Sequence, residues 1–215
     1  MILARHTVGP FAENCYVIGA APRVAVVDPG AESERIAADL DARSFRPEAI
    51  LLTHGHIDHI AHVGHLCERY GLPVWAPAED QFLLDSPQIP ELAAMLGARP
   101  CPKPARRWVD GETVEVAGLE IEVIHAPGHT PGHVCLLHRA SREILVGDVI
   151  FQRGIGRTDL PGGDHATLER SIRGRLFTLD GDWTLHPGHG PATTLAEERE
   201  ENPFFGRRAG GFGLR

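Results

Sequence analysis

Apolar residues along this chain come in short bursts broken by glycine and proline, and two periodicities alternate. "CYVIGA" (15–20) and "RVAVVDPG" (23–30) are brief, rich in β-branched residues and separated by a turn at Ala21-Pro22, which predicts strands through the first thirty residues. "ESERIAADLDAR" (32–43) places Ile36 and Leu40 one turn apart among charged residues and predicts an amphipathic helix. "EAILLTH" (48–54) is continuously apolar, the pattern of a strand covered on both faces. A helix is expected from about 60 to 70 and a strand at "PVWA" (73–76).

Residues 77–105 hold two weakly helical pieces, "EDQFLLD" and "ELAAMLG", set apart by prolines. This is the most loop-like stretch of the chain and the candidate for a flexible flap. Strands return with "RRWVD", "ETVEVAG", "LEIEVIHA", "HVCLLHRA" and "EILVGD". "DHATLERSIRGRLFTL" (164–179) reads as a helix with Asp164 as its N-cap. "DWTLHPGHG" (182–190) reads as a strand running into a loop, and "TTLAEERE" (193–200) as a closing helix. Strands and helices alternate in each half, with no linker and no clear repeat, so a layered α/β architecture is expected.

Composition narrows the function classes. The 215 residues fit one domain with a substantial core. A formal charge of −8 argues against a general nucleic-acid surface, and the longest basic cluster, "PARRW" (104–108), is too short to reverse that. Cys15, Cys67, Cys101 and Cys135 form no CxxC pair and read as reduced, mostly buried thiols. The N-terminus lacks the basic-then-apolar order of a signal peptide, and no apolar stretch reaches the roughly eighteen residues of a membrane span. A cytoplasmic protein with no membrane and no nucleic-acid partner is expected.

The chemistry concentrates in histidine. Among thirteen histidines, "THGHIDH" (53–59) packs His54, His56, Asp58 and His59 directly after an apolar run. His129 in "HAPGHTPGH", Asp148 in "LVGD" and His189 in "HPGHG" recur in the same setting, just beyond a predicted strand in a Gly- or Pro-containing turn. Rigid scaffolds present functional groups on such loops, and glycine permits close backbone approach there. In extended chain, residues i and i+2 point the same way, so His54 and His56 can grip one ion together. Asp58 and His59 fall where the chain turns into a helix and can face a second. Imidazole and carboxylate suit zinc, iron or manganese, and two ions about 3.5–4 Å apart sharing a carboxylate and a hydroxide form a hydrolytic centre. Asp148 is the candidate bridge. His6, His62, His65, His125, His133, His138, His165 and His186 are expected to be surface or hydrogen-bonded residues, with His133 the least settled because it shares a loop with His129.

"THGHIDH" matches the H-x-H-x-D-H signature of the metallo-β-lactamase superfamily, and the later "PGHTPGH", "GD" and "GH" elements follow in that family's order. The resemblance covers nearly the whole chain. It implies a four-layer αβ/βα sandwich with a binuclear site at the edge where two sheets meet. By resemblance His54, His56 and His129 would hold one metal, Asp58, His59 and His189 the other, with Asp148 bridging; Asp58 and Asp148 would be the catalytic carboxylates. "VVDPG" also matches, giving Asp28 an outer role in orienting a ligand.

Within the superfamily, secreted lactamases generally carry a signal peptide and a cysteine where Asp148 stands, nuclease members carry large insertions, and flavodiiron members carry glutamate at the position of His56. "GDVIFQRGIGRTDLPGGD" (147–164) and "EENPFF" (200–205) resemble the short bacterial form of glyoxalase II, the hydroxyacylglutathione hydrolases, without the C-terminal helical domain that grips glutathione in longer members. The expectation is a two-metal thioesterase for a small molecule, S-D-lactoylglutathione or a related hydroxyacyl thioester, loaded with zinc, or with iron or manganese. Arg157 is the candidate for binding a substrate carboxylate. The alternatives are a mono-iron persulfide dioxygenase of the same superfamily, using His54, His129 and Asp148, and a non-catalytic metal-binding module.

Overall fold

A computed structural model describes residues 1–86 and 89–208. The first sheet contains β1 (Ile2–Val8), β2 (Glu13–Ala20), β3 (Arg23–Val27), β4 (Arg46–Leu51), β5 (Val74–Ala76) and β6 (Arg106–Arg107), side by side in that order. The second contains β7 (Thr113–Val116), β8 (Leu119–His125), β9 (Val134–His138) and β10 (Glu143–Gly147), joined beyond β10 by two later strands. Between them in sequence lies a small hairpin, β11 (Ile150–Phe151) with β12 (Gly154–Ile155). The sheet then continues through β13 (Thr184–Pro187), parallel to β10, and β14 (Thr193–Thr194).

Among the described residues seven helices complete the fold: α1 (Ser33–Ala42), α2 (Ile57–Ile60), α3 (Val63–Tyr70), α4 (Gln81–Asp85), α5 (Pro90–Leu96), α6 (His165–Ser171) and α7 (Leu195–Glu201). A π-helical turn, Ile172–Leu176, extends α6.

Strand alternation builds the layers. Ile18, Ala25, Val27, Ala49 and Leu51 point from the first sheet toward Ile121, Val123, Val134, Leu136 and Leu145 of the second. Their sequence neighbours Val17, Val24, Val26, Ile50 and Leu52 face the opposite way and pack under Ile36 and Leu40 of α1 and Leu66 of α3. On the far side, Cys135, Leu137, Ile144 and Val146 meet Leu168 of α6 and Ile172 and Leu176 of the π-helical turn. Period-two side chains with both faces covered give helix, sheet, sheet, helix, the four-layer αβ/βα order that the resemblance implies.

Several elements differ in extent from the sequence reading. The helix expected from 60 to 70 starts at Ile57 and breaks at His62. There the His62 ring receives the Ser33 backbone N–H (3.1 Å) and contacts the Leu96 carbonyl (2.8 Å), so tertiary hydrogen bonds fix the break. The proline-rich stretch proposed as a flap is docked at both helices, with Leu83 of α4 and Ala93 and Leu96 of α5 buried; residues 87 and 88 lie outside the described residues. Thr193 and Thr194 pair with β13 instead of opening the last helix, and the Thr194 hydroxyl accepts the Glu197 N–H as its cap. Asp164 caps α6 as expected, accepting the Thr167 N–H at 2.7 Å.

Candidate metal centre

All the singled-out loops leave their strands at one edge of the sandwich. "THGHIDH" follows β4, His129 lies in the turn between β8 and β9, Asp148 follows β10 and His189 follows β13. His56 is the extended residue before α2 (φ −69°, ψ 146°), which sends Asp58 and His59 into the first helical turn, where the His59 ring still lies 4.2 Å from that of His54. Glycine makes the convergence possible: a Cβ on Gly188 would lie 2.2 Å from Asp148 Oδ1 and 2.6 Å from His59 Cε1.

The proposed ligands gather into two groups, and a third cluster, Asp28 with His54 and His59, overlaps both. One nitrogen each from His54, His56 and His129 lies within 4.8 Å of the others, and so do single donor atoms of Asp58, His59 and His189. Asp148 stands between the groups, with Oδ1 3.4 Å from His59 Nε2 and Oδ2 3.6 Å from His129 Nε2 and 3.5 Å from His189 Nε2. His189 Nε2 also faces Asp58 Oδ2 at 3.4 Å. The structure thus brings all seven proposed ligands together at one place.

Hydrogen bonds at the backs of the rings decide which nitrogens point inward. His129 Nδ1 donates to the Arg157 carbonyl (2.7 Å) and His189 Nδ1 to the Phe11 carbonyl (3.0 Å). His54 Nδ1 contacts the Thr53 hydroxyl (3.0 Å) and His59 Nδ1 the Asp28 carboxylate (3.2 Å). Each of these rings therefore offers Nε2 to the centre, whereas His56 turns Nδ1 to within 2.8 Å of His129 Nε2. A second group holding each imidazole in one orientation is the usual support of a metal ligand. Asp28 occupies that position. Its Oδ1 accepts the Thr53 N–H (2.8 Å) and its Oδ2 the Thr53 hydroxyl (2.6 Å), so its oxygens are already engaged away from the centre.

The donor set fits a pair of divalent cations. Buried His54 Nε2 and Asp148 Oδ1 have no hydrogen-bond partner, an expensive arrangement for polar atoms unless an ion meets them. Burial, reinforced by neighbouring imidazoles, pushes His54 well below the ordinary histidine pKa and brings His56 to about 3, leaving neutral rings with free lone pairs. Around the second group burial also opposes charge, but Asp148 and Asp58 outweigh it and hold His59 and His189 above the ordinary value. That half calls for positive charge, which a cation provides in place of a proton.

Two supporting residues, Asp80 and Glu13, were not singled out from sequence, and a third, His133, is hydrogen-bonded as expected. Asp80, buried ahead of α4, accepts the Gly55 N–H (3.0 Å) and Thr130 hydroxyl (2.7 Å) on Oδ2 and the Gly132 N–H (2.6 Å) on Oδ1. It thereby ties the loop of His54 and His56 to the loop of His129. In sequence it is one aspartate in a loop-like stretch, without any local signal. His133, read as hydrogen-bonded, stacks on His54 with ring centroids 4.8 Å apart, and its Nε2 accepts the Asp148 N–H at 3.0 Å. Glu13, at the start of β2, is 1% exposed and faces His59 Nδ1 at 3.8 Å; burial pushes its carboxyl well above the usual range. A charged residue opening an otherwise apolar strand was the signal available for it.

Asp80→Asn should lower stability by about 2–3 kcal/mol, because an amide nitrogen placed against an N–H leaves buried donors unmatched. Metal affinity should fall about 10–100-fold as the two loops loosen. Denaturant unfolding and metal titration of the purified variant read both effects, and wild-type affinity would show that the tie between the loops is dispensable.

Comparison with known proteins agrees with this geometry. The family model described as the metallo-beta-lactamase superfamily matches residues 8–189. The chain belongs to the metallo-β-lactamase superfamily. It is 37% identical over 204 residues to a Haemophilus influenzae protein named hydroxyacylglutathione hydrolase GloC, covering 93% of this chain and 95% of that one. Among solved structures, a di-iron-bound form of TTHA1623 superposes with a TM-score of 0.86 at 36% identity, covering 94% of this chain and 100% of the other. BLEG-1, described as a B3 metallo-beta-lactamase, superposes with a TM-score of 0.85 at 33% identity over 94% of this chain and 98% of that one.

As in a metallo-hydrolase of this superfamily, the ligand cluster opens onto a cleft, here of about 550 Å³. His56, Asp58, His129, Asp148 and His189 form its floor, and Arg157 stands on its wall. The Arg157 guanidinium is already engaged: Nε and Nη2 donate to the two oxygens of Asp159 at 2.7 and 2.8 Å. No helix among the described residues is long and apolar enough to cross a membrane, and all four cysteines are free.

Proposed function

We propose that this metallo-β-lactamase superfamily member is a two-metal thioesterase of the cytoplasm that hydrolyses small hydroxyacyl thioesters, S-D-lactoylglutathione among them, with zinc as its ions. The carrying observation is the pair of three-residue donor groups on either side of Asp148, open to a cleft of substrate size. The name of the Haemophilus influenzae relative supports the substrate class, and four free thiols suit a reducing compartment.

Two ions bound there would supply Lewis acidity toward the scissile carbonyl and acidify water at neutral pH. The chain does the positioning. His54 and His56 present unprotonated nitrogens, His129 turns Nε2 inward, Asp148 reaches both halves, and Asp28, Thr53 and the Phe11 and Arg157 carbonyls lock ring orientation. Asp58 beside His189 completes the second half and faces the cleft, where a substrate carbonyl can approach. A thiolate leaving group needs little help from an acid, since thiol pKa values lie near 8.5. No cysteine nucleophile is required: Cys15 and Cys135 are buried in the core layers.

The test is elemental analysis of the purified protein coupled to thiol release from S-D-lactoylglutathione. Two zinc ions per chain with turnover are expected. Chelation should abolish turnover and lower the melting temperature, because ions bound only to the native fold stabilise it. The mono-iron dioxygenase reading predicts one iron per chain and oxygen uptake with a persulfide, and that result would overturn the thioesterase. The di-iron form of TTHA1623 favours two ions and makes iron loading a necessary arm of the experiment.

A further inference from the structure

Beyond the ligand cluster, the cleft is walled by apolar side chains: Phe11, Ile89, Leu92, Phe151, Ile155 and Leu160. Phe11 is 50% exposed and Ile89 44% exposed. Large apolar groups held open to water at a cleft mouth are a cost that a bound apolar ligand removes. Among the described residues, Arg157 is the only charged lining group that is not one of the proposed metal ligands. Asp159, two residues on, occupies the Nε–Nη2 edge of that guanidinium, one of the two edges that can grip a carboxylate, and balances its charge. Both partners sit on one short segment, so little chain entropy separates them, and an incoming carboxylate must compete with a carboxylate already in place.

Glutathione brings two carboxylates and an ammonium to any site that binds it. Among the described residues this cleft offers one cation, internally paired, and an apolar wall. From that mismatch we propose that the preferred thiol carrier is uncharged and apolar, that glutathione thioesters are the poorer substrates, and that Asp159 sets this preference by neutralising Arg157. The inference rests on the thioesterase reading of the same site and goes beyond it by assigning the carrier class.

The experiment compares D-lactoyl thioesters of glutathione, N-acetylcysteamine and hexanethiol on the zinc-loaded protein, each rate divided by its uncatalysed hydrolysis rate. A parallel arm measures binding of the non-hydrolysable thioethers S-hexyl-N-acetylcysteamine and S-methylglutathione to the same protein and to the chelated protein. The hexanethiol thioester should exceed the glutathione thioester in kcat/KM by about tenfold or more, since each methylene taken out of water adds several-fold. The S-hexyl thioether should bind the more tightly in both metal states. In Asp159→Asn, the ratio of hexanethiol to glutathione kcat/KM should fall by about threefold to fivefold, the range set by an exposed ion pair.

A glutathione thioester that equals or beats the apolar carrier, or an Asp159→Asn variant with an unchanged ratio, overturns the proposal and leaves the thioesterase reading standing. If no thioester turns over, the thioesterase reading fails. The thioether arm then decides the carrier preference by itself, because tighter binding of S-methylglutathione would sink it without reference to turnover.

Discussion

Replacing Asp148 with alanine is expected to lower thioester turnover on the order of a thousandfold and to cut the bound metal from two ions per chain to one or fewer. Its oxygens lie 3.4 Å from His59 Nε2, 3.5 Å from His189 Nε2 and 3.6 Å from His129 Nε2, so among the proposed ligands it is the carboxylate placed between the two donor groups. Loss of a shared carboxylate removes charge stabilisation worth several kcal/mol in the transition state, and each 1.36 kcal/mol is about tenfold in rate. The fold itself should persist, because the side chain lies at the sandwich edge and its backbone N–H, held by His133, is unchanged. Elemental analysis, steady-state kinetics and far-UV circular dichroism of Asp148→Ala and Asp148→Asn read the three statements separately. Two ions and wild-type turnover in either variant would remove the shared carboxylate from the mechanism.

Gly188→Ala should be nearly as damaging although it adds one methyl group and removes no donor. A Cβ there would sit 2.2 Å from Asp148 Oδ1 and 2.6 Å from the His59 ring. The backbone has nowhere to retreat. The Gly188 N–H donates to the Gly147 carbonyl (2.8 Å) and its carbonyl accepts the Asn14 N–H (2.7 Å), so strands on both sides hold it. Asp148 and His59 must therefore move apart. Misplacement of a reacting group by about 1 Å costs about a hundredfold in rate, and overpacking of this kind costs about 1–3 kcal/mol in stability. The expected variant is folded, binds the second ion weakly and turns over at about one per cent of the wild-type rate or less. A variant with full metal content and normal kinetics would show that the edge yields more easily than its hydrogen bonds imply.

The seven proposed ligands were legible because the spacing in "THGHIDH" is local chemistry: an extended tripeptide aligns His54 with His56, and the following helical turn diverts Asp58 and His59. His129, Asp148 and His189 were legible as strand-end residues beside glycine. Their partnership with the first cluster was carried by a resemblance in motif order, since sequence spacing says nothing about approach across 70 to 130 residues. Asp80 shows the opposite case. It has no periodicity and no motif, and its importance comes wholly from three donors delivered by two distant loops. Glu13 left only the signal of a charge opening an apolar strand, and its partner shows once His59 is folded against it.

Arg157 illustrates a different gap. The sequence marked it as a cation near the site, and it does line the cleft; that its guanidinium is already paired depends on side-chain rotamers in an exposed loop. The helix break at His62 and the small pairing at Thr193–Thr194 were equally hidden: the first follows from hydrogen bonds to Ser33 and Leu96, the second from pairing with β13 across the His189 loop.

The sequence by itself determined the layered alternation of strands and helices, the donor chemistry and the strand ends that carry it, since those depend on side-chain type and on contacts within a few residues. Only the tertiary structure decided which nitrogens face inward, which carboxylate reaches both halves, what ties the loops together and whether the cleft offers a free charge. Those are relations between side chains brought together from separate strands, and their distances exist only once the two sheets have closed on one another.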